Sequence, residues 1–381
     1  MIPRTLFSDE HEMFRDAARR FIATEITPFH GEWEKVGVVP RELWRKAGEA
    51  GLLCANVPEE YGGAGANFLY NVVIAEELGR AGATGPGFTV HSDMVASYIL
   101  SFGSEAQKKQ WLPKMVSGEA VGALGLTEPG GGSDLKAMRT RAERDGDHYV
   151  INGQKTYISN GQLADIVVLA CKTDPDAGAK GVSLIIVEAT RAGFERGRRL
   201  EKLGLKAQDT SELFFNNLRV PVSNRLGEEG AGFKMAMHKL AAERLIISVN
   251  AIAVCEAVLD WTVAYTKERK AFGKTIAEFQ NTRFKVAEYT ALVQSARVFI
   301  DRCIELTMEN KLDSTDAAMA KMVSTELQCK VVDECLQFFG GYGYMLEYPI
   351  AHAYIDSRIR RIAGGSSEVL REIVSRSVFG S

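Results

Sequence analysis

The sequence has 381 residues, with 46 basic against 49 acidic side chains and a formal charge of −3. That length predicts two or three domains with a sizeable core, and the balanced charge leaves no basic excess to cover phosphates, which excludes a nucleic-acid-binding protein. Hydrophobic residues at 46% and charged residues at 25% are ordinary for a water-soluble globular chain, and no uninterrupted apolar run approaches the ~18 residues of a membrane span.

The first residues carry Asp9, Glu10 and Glu12, which speaks against a secretory signal or transit peptide. Phe14, Ala17, Ala18, Phe21 and Ile22 recur at helical spacing over residues 9–25, and residues 40–50 and 71–79 repeat the pattern. Glycine-rich breaks at 61–65 and 82–87 separate these helices. From residue 121 the texture changes. Residues 148–151, 166–170 and 182–187 are short β-branched runs bounded by turn residues and read as strands, with two more near 194–199 and 212–216. After a glycine-rich stretch at 227–232, long amphipathic helices are predicted over 233–268, 281–310 and 314–339, with a shorter one over 368–379. The order is therefore α+β in three parts: a helical domain at 1–120, a β-domain at 121–228 and a helical bundle at 229–381. No strand–GxGxxG–helix unit occurs, so a Rossmann domain is not predicted.

Cysteines 54, 171, 255, 303, 329 and 335 are scattered without a CxxC pair, which points to buried free thiols in a reducing compartment. The histidines are isolated from one another and no HExxH occurs, so no metal site is expected. Chemistry then falls to carboxylates or an organic cofactor.

The most unusual local string is residues 125–134, Gly-Leu-Thr-Glu-Pro-Gly-Gly-Gly-Ser-Asp. Its glycines allow close backbone approach to a flat or anionic ligand, and Thr127 and Ser133 add hydroxyls; the same string also suits a flexible loop with a capped turn. It resembles the first signature of the acyl-CoA dehydrogenase family, and the resemblance continues through residues 152–161. It implies that Leu126, Thr127, Gly132 and Ser133 contact FAD. Tyr157, where many members have Trp, and Ser159, where many have Thr, would face the flavin, the hydroxyl near N5. Residues two apart on a strand share a face.

Family members remove the α-proton of an acyl-CoA thioester with a glutamate, commonly in a C-terminal loop. Here that position is Gly364, in the string Ile362-Ala363-Gly364-Gly365-Ser366-Ser367-Glu368. On a helix from Phe233, the residues Phe233, Ala236, Met237, Leu240 and Ile247 share an arc of about 100°, and Glu243 and Arg244 fall on it or at its edge. An acid on an apolar stripe is costly unless paired or used, and on helix geometry alone a structural ion pair with an arginine of a neighbouring helix is the favoured account. The joint presence of Glu243-Arg244 and Gly364 resembles the isovaleryl and long-chain branches. That resemblance implies Glu243 as base, Arg244 as an organising cation, and the backbone N–H at Gly364 beside the thioester oxygen. Phe233, Met237 and Leu240, with Ser133 and Arg244, would contact the substrate. Phe88, Val90 and Met94 suit either an acyl tunnel or the core.

Residues 267–276 read as a helix end with favourable cations and a glycine stop, yet they resemble the family's Arg-x-x-Phe-Gly segment. The resemblance implies that Arg269, Phe272 and Gln280 bind a neighbouring subunit's FAD. Residues 337–344 resemble the second signature, with Gln337, Gly340 and Gly341 at the AMP half, and Ser366 and Glu368 match loop positions that contact FAD. One position departs: His352 stands where a more basic residue is usual, with Asp356 in place. The similarity spans the whole chain and implies the family's fold: an N-terminal α-domain, a β-barrel-like middle domain and a C-terminal four-helix bundle. It further implies a homotetramer built as a dimer of dimers, an acyl-CoA substrate, an electron-transferring flavoprotein as acceptor, and a role in fatty acid β-oxidation in a bacterial cytoplasm. The strings at 311–314 and 344–350 look most like the long-chain branch. A branched or terpenoid acyl-CoA, an oxidase passing electrons to O₂, and a non-catalytic acyl-CoA- or flavin-binding subunit are the other readings.

Overall fold

The computed structural model describes residues 2–380. Helix α1 (Asp9–Phe21) passes without a break into a π-helical turn, Ile22–Ile26, so the predicted single helix is two kinds of helix end to end. Helices α2 (His30–Val36), α3 (Arg41–Glu49) and α4 (Phe68–Arg80) follow. A second π-helical segment, Val90–Ala96, leads into α5 (Ser97–Phe102), and α6 (Glu105–Val116) completes the N-terminal helices. The sequence pattern missed α2, α5 and α6. The first two are too short to show a period, and α6 is polar and carries Pro113 inside it.

The middle of the chain forms β1 (Gly122–Gly125), β2 (Arg141–Asp145), β3 (His148–Ser159), β4 (Ile166–Lys172), β5 (Val182–Glu188), β6 (Phe194–Arg199), β7 (Thr210–Pro221) and β8 (Arg225–Leu226). They hydrogen-bond in the order β6-β7-β3-β2-β4-β5-β8, with β1 parallel to β4. Glycine-containing β1 and charged β2 gave no strand signal in the sequence. Both faces of β4 and β5 are buried. Ile166, Val168, Leu184 and Ile186 join the core under the N-terminal helices, while Val167, Leu169, Ile185 and Val187 form a second core with β3 and β7.

The C-terminal part comprises α7 (Gly232–Glu268), the hairpin of β9 (Lys270–Ala271) and β10 (Lys274–Thr275), α8 (Gln280–Met308), α9 (Ser314–Phe339), α10 (Pro349–Ser357) and α11 (Ser367–Phe379). A third core lies among α4, α7, α8 and α9. By length and composition α7 is apolar enough to cross a membrane, although polar residues such as Asn250 and Glu256 interrupt its apolar run; most of that stretch is buried inside the protein, as in a central core helix. Glu76 on α4, fully buried, joins Arg4, Arg15 and Arg297 at 2.8 Å each and so ties the N-terminal helices to α8.

Candidate active site

The loop after β1 is fastened to β3. Lys155, wholly buried, donates to the Leu126 carbonyl at 3.1 Å and to Glu128 Oε1 at 2.7 Å. Glu128 also accepts from the N–H groups of Arg139 and Thr140, at 2.6 and 3.0 Å. The Thr156 N–H donates to the Thr127 carbonyl at 2.9 Å. Burial pushes the Glu128 carboxyl up, but the Lys155 ammonium and these donors outweigh it and hold it below the ordinary range. Leu126 and Thr127 are thus displayed by a buried ion pair that the sequence reading did not single out. Gly132 and Ser133 lie further along the loop, exposed.

Strand β3 presents Tyr157 and Ser159 on the same side, as their spacing implied, but not by simple alternation. Tyr149, Ile151 and Lys155 point inward, so strict alternation would bury residues 157 and 159 as well. A register shift against β7 between Lys155 and Ile158 adds a residue, and Tyr157 takes a left-handed φ of 60°. The bulge resets the parity. Thr156 and Ile158 become buried, while Tyr157 is 69% exposed and Ser159 half-exposed.

Glu243 sits on α7, 5% exposed, with Oε1 lacking any hydrogen-bond partner. Burial pushes its carboxyl up to about 7, and the negative charge of Asp93 adds to the rise; Tyr98, Lys239 and Arg244 oppose it. No ion pair engages Glu243 among the described residues, which removes the structural-ion-pair alternative. Its neighbours were not foreseen. Tyr98 has a buried hydroxyl close enough to Glu243 to lower its carboxyl, although no hydrogen bond of normal geometry joins the two. Asp93, on the π-helical segment, accepts from Asn71 Nδ2 at 2.5 Å, and burial raises its carboxyl to about 7. These residues come from α4, the π segment and α5, and only the fold brings them to α7.

Arg244 turns away from its neighbour, its Nε 3.4 Å from the Gly364 carbonyl. Gly364 and Gly365 have left-handed φ values of 71° and 98°. A Cβ at residue 364 would stand 2.7 Å from Ile247 Cδ1, one helical turn beyond Glu243 on α7. The loop therefore presses bare backbone against the face of α7 that carries the acid. Of the apolar residues on that face, Phe233 and Leu240 are half-buried and Met237 is 38% exposed. Phe88 is core, packed edge-on against Trp44, whereas Val90 and Met94 are half-buried.

A second concavity, about 480 Å³, is lined by Arg269, Gln337, Gly340 and Gly341 together with Tyr265 and Tyr342. Arg269 lies over the Tyr342 ring at 5.4 Å. Phe272 and Gln280 are not part of this lining: Phe272 is 95% exposed at the tip of the β9–β10 hairpin and Gln280 is exposed at the start of α8. Ser366 caps α11 through the Val369 N–H, and Glu368 is exposed in the first turn. His352, at the position where a more basic residue is usual, has its Nδ1 3.2 Å from Glu34, a contact that raises its pKa. Among the described residues no three His, Cys, Asp or Glu side chains group as metal ligands.

These surfaces fit a flavin dinucleotide. A π face and a hydroxyl are turned outward by the β3 bulge, beside a loop displaying Thr127. Gly340 and Gly341, where a Cβ would meet nothing, lie with an arginine in the separate concavity.

Family models for the acyl-CoA dehydrogenase N-terminal, middle and C-terminal domains match residues 8–119, 123–218 and 230–379. The long-chain specific acyl-CoA dehydrogenase of rat mitochondria is 46% identical over 377 residues, covering 98% of this chain and 88% of that protein. A crystal structure of an acyl-CoA dehydrogenase from Geobacillus kaustophilus is 47% identical with a TM-score of 0.97, covering 99% of this chain and all of that one. A glutaryl-CoA dehydrogenase from Mycobacterium smegmatis, solved in complex with FADH2, is 28% identical with a TM-score of 0.93 over 99% of this chain and 96% of that one. The chain belongs to the acyl-CoA dehydrogenase family of FAD-dependent oxidoreductases.

Proposed function

We propose that this protein converts a long-chain fatty acyl-CoA thioester to its trans-2-enoyl-CoA, with Glu243 as the base that takes the α-proton. The observation that carries the reading is the Glu243 carboxyl: buried, unpaired, and pushed up to about 7. A carboxyl near neutrality is a far better base than one at its ordinary value, and an unpaired one is free to accept a proton. FAD, when bound, accepts the β-hydride. The α-proton goes to Glu243 Oε1, and the electron pair it leaves becomes the new C=C bond as the β-hydride departs.

An α-proton of an alkyl thioester is too weakly acidic for a carboxylate unless the developing enolate oxygen is stabilised. The Gly364 N–H, which donates to no group among the described residues, is the donor this chain offers. Arg244 holds the carbonyl of the same residue and so contributes to aiming it. Phe233, Met237 and Leu240 give the acyl chain an apolar wall along α7, and Ser133 with Arg244 borders the thioester end. Leu126, Thr127, Gly132, Ser133, Tyr157, Ser159, Ser366 and Glu368 hold the cofactor. Arg269, Phe272, Gln280, Gln337, Gly340 and Gly341 complete the FAD site of a neighbouring copy. The 95% exposure of Phe272 supports this role, since a bare aromatic tip gains by burial in a partner. A homotetramer in the cytoplasm, delivering electrons to an electron-transferring flavoprotein, completes the proposal.

The test is anaerobic titration with straight and branched acyl-CoA thioesters from butyryl to stearoyl, watching the flavin absorbance. Bleaching fastest with the long straight chains supports the assignment. Fastest bleaching with short or branched chains overturns its substrate part, and rapid O₂ consumption without an added acceptor overturns the acceptor.

A further inference from the structure

Lys321 lies in the middle of α9 and is wholly buried. No carboxylate pairs with it among the described residues. The acid that acts on it, Glu326, is already engaged by Arg361, Arg371 and the Ser367 hydroxyl. The charged groups Arg244 and Arg360 repel it, and burial together with that repulsion pushes its ammonium down to about 8. A buried cation in this position is costly unless it is used. Its ammonium is aimed at one acceptor, the Gly365 carbonyl, at 2.5 Å.

That acceptor belongs to the peptide group after the one Arg244 holds at the Gly364 carbonyl. On the other side, the Ala363 N–H donates to the Ile359 carbonyl at 2.9 Å. Two consecutive left-handed glycines have no side chains to fix their backbone and lose the most conformational freedom when ordered. Their conformation has to be imposed from outside, and α7 and α9 each send one cation to do it.

We infer that Lys321 is a positioning residue, whose hydrogen bond to Gly365 locks the Gly364–Gly365 loop so that the Gly364 N–H points at the thioester oxygen. It rests on the reaction proposed above. Lys321 touches neither substrate nor cofactor, so its loss should act on the developing oxyanion and leave binding of the acyl chain intact.

The experiment compares Lys321→Met, which keeps the stem and removes the donor, with Lys321→Arg and Lys321→Gln, which retain one. A palmitoyl-CoA thioester serves as substrate and the corresponding CoA thioether, which lacks the carbonyl, as a non-reactive ligand. In Lys321→Met, kcat should fall about tenfold or more while KM changes less than about threefold. The preference for binding palmitoyl-CoA over the thioether, measured by calorimetry on Glu243→Gln backgrounds to prevent turnover, should shrink, with thioether affinity and flavin content unchanged. Lys321→Arg or Lys321→Gln should recover part of kcat. A Lys321→Met enzyme with kcat within about threefold of the parent overturns the inference. So does equal loss of thioether binding and flavin, which would mark a general packing role. If Lys321→Met does not fold, Lys321→Ala, which also lacks the donor, takes its place, and a kcat within about threefold of the parent there, with an unchanged thioester preference, overturns it too. A parent enzyme that oxidises no thioester would refute the proposed reaction instead, a different result from an active parent indifferent to Lys321.

Discussion

Replacing Gly364 by alanine puts the smallest possible side chain where the loop meets α7, and its consequences divide into two terms. The residue has φ of 71°, a conformation that costs an L-residue about 1 kcal/mol. The added Cβ would also lie 2.7 Å from Ile247 Cδ1. Relieving that overlap, by moving either the loop or Ile247, costs about 1 kcal/mol more, the lower end for overpacking a close contact. The loop can escape by shifting away from Glu243, so Gly364→Ala should lower kcat roughly tenfold to a hundredfold. Ile247→Val deletes the offending methyl and touches no proposed catalytic group. In that background Gly364→Ala should cost about fivefold less, the equivalent of about 1 kcal/mol of coupling. Steady-state kcat across the four proteins of the cycle measures this. Additive effects, with no recovery from Ile247→Val, would refute the contact between the loop and the acid-bearing face of α7.

Glu243→Gln should change stability in a pH-dependent way. Burial raises the folded pKa from 4.5 to about 7, so the native carboxyl costs nothing below pH 4.5 and progressively destabilises the fold as pH rises through 7. The glutamine variant should therefore be more stable by about 3 kcal/mol above pH 7 and equal at acid pH, seen as a thermal-midpoint difference that grows with pH; a constant difference contradicts the burial argument. Burial is the main cause of the raised Glu243 carboxyl and the Asp93 charge adds the smaller part, so Asp93→Asn should move the acid limb of the kcat/KM profile to lower pH without restoring an ordinary carboxyl. Lys155→Met strands the buried Glu128 carboxylate and should cost about 3–5 kcal/mol, visible as a lower thermal midpoint and poor flavin retention on gel filtration. Adding Glu128→Gln should restore most of that loss.

Glu243 stood out because an acid on an apolar helical stripe is a conflict within a single element. That conflict suited an ion pair as well as a base, and it took the family resemblance, with Gly364 in the loop, to mark it as the proposed base. What surrounds it was not legible. Asp93, Tyr98 and Asn71 sit on three separate elements, and their placement beside Glu243 is a product of packing that no local period records. The π-helical segments at Ile22–Ile26 and Val90–Ala96 were hidden for a related reason, since one extra residue per turn looks like noise in a 3.6-residue pattern. Tyr157 and Ser159 were placed on one side of their strand by spacing alone. Which side they face is set by the bulge after Lys155, which depends on pairing with β7. Lys155 itself reads as a solvent-facing lysine in any strand pattern, yet it is wholly buried because Glu128 arrives from another loop to meet it. The long helices α7, α8 and α9 were legible nearly to their ends, because many turns of one period outweigh local exceptions.

The central claim is that Glu243 removes the α-proton of a bound acyl-CoA. It is tested most directly by mixing the FAD-loaded protein anaerobically with palmitoyl-CoA in a stopped-flow instrument, parent beside Glu243→Gln, and following the flavin absorbance. The account predicts rapid bleaching in the parent and, in the variant, retained flavin and thioester binding with bleaching slowed at least about a thousandfold. Bleaching of Glu243→Gln at the parent rate would show that the proton leaves by another route.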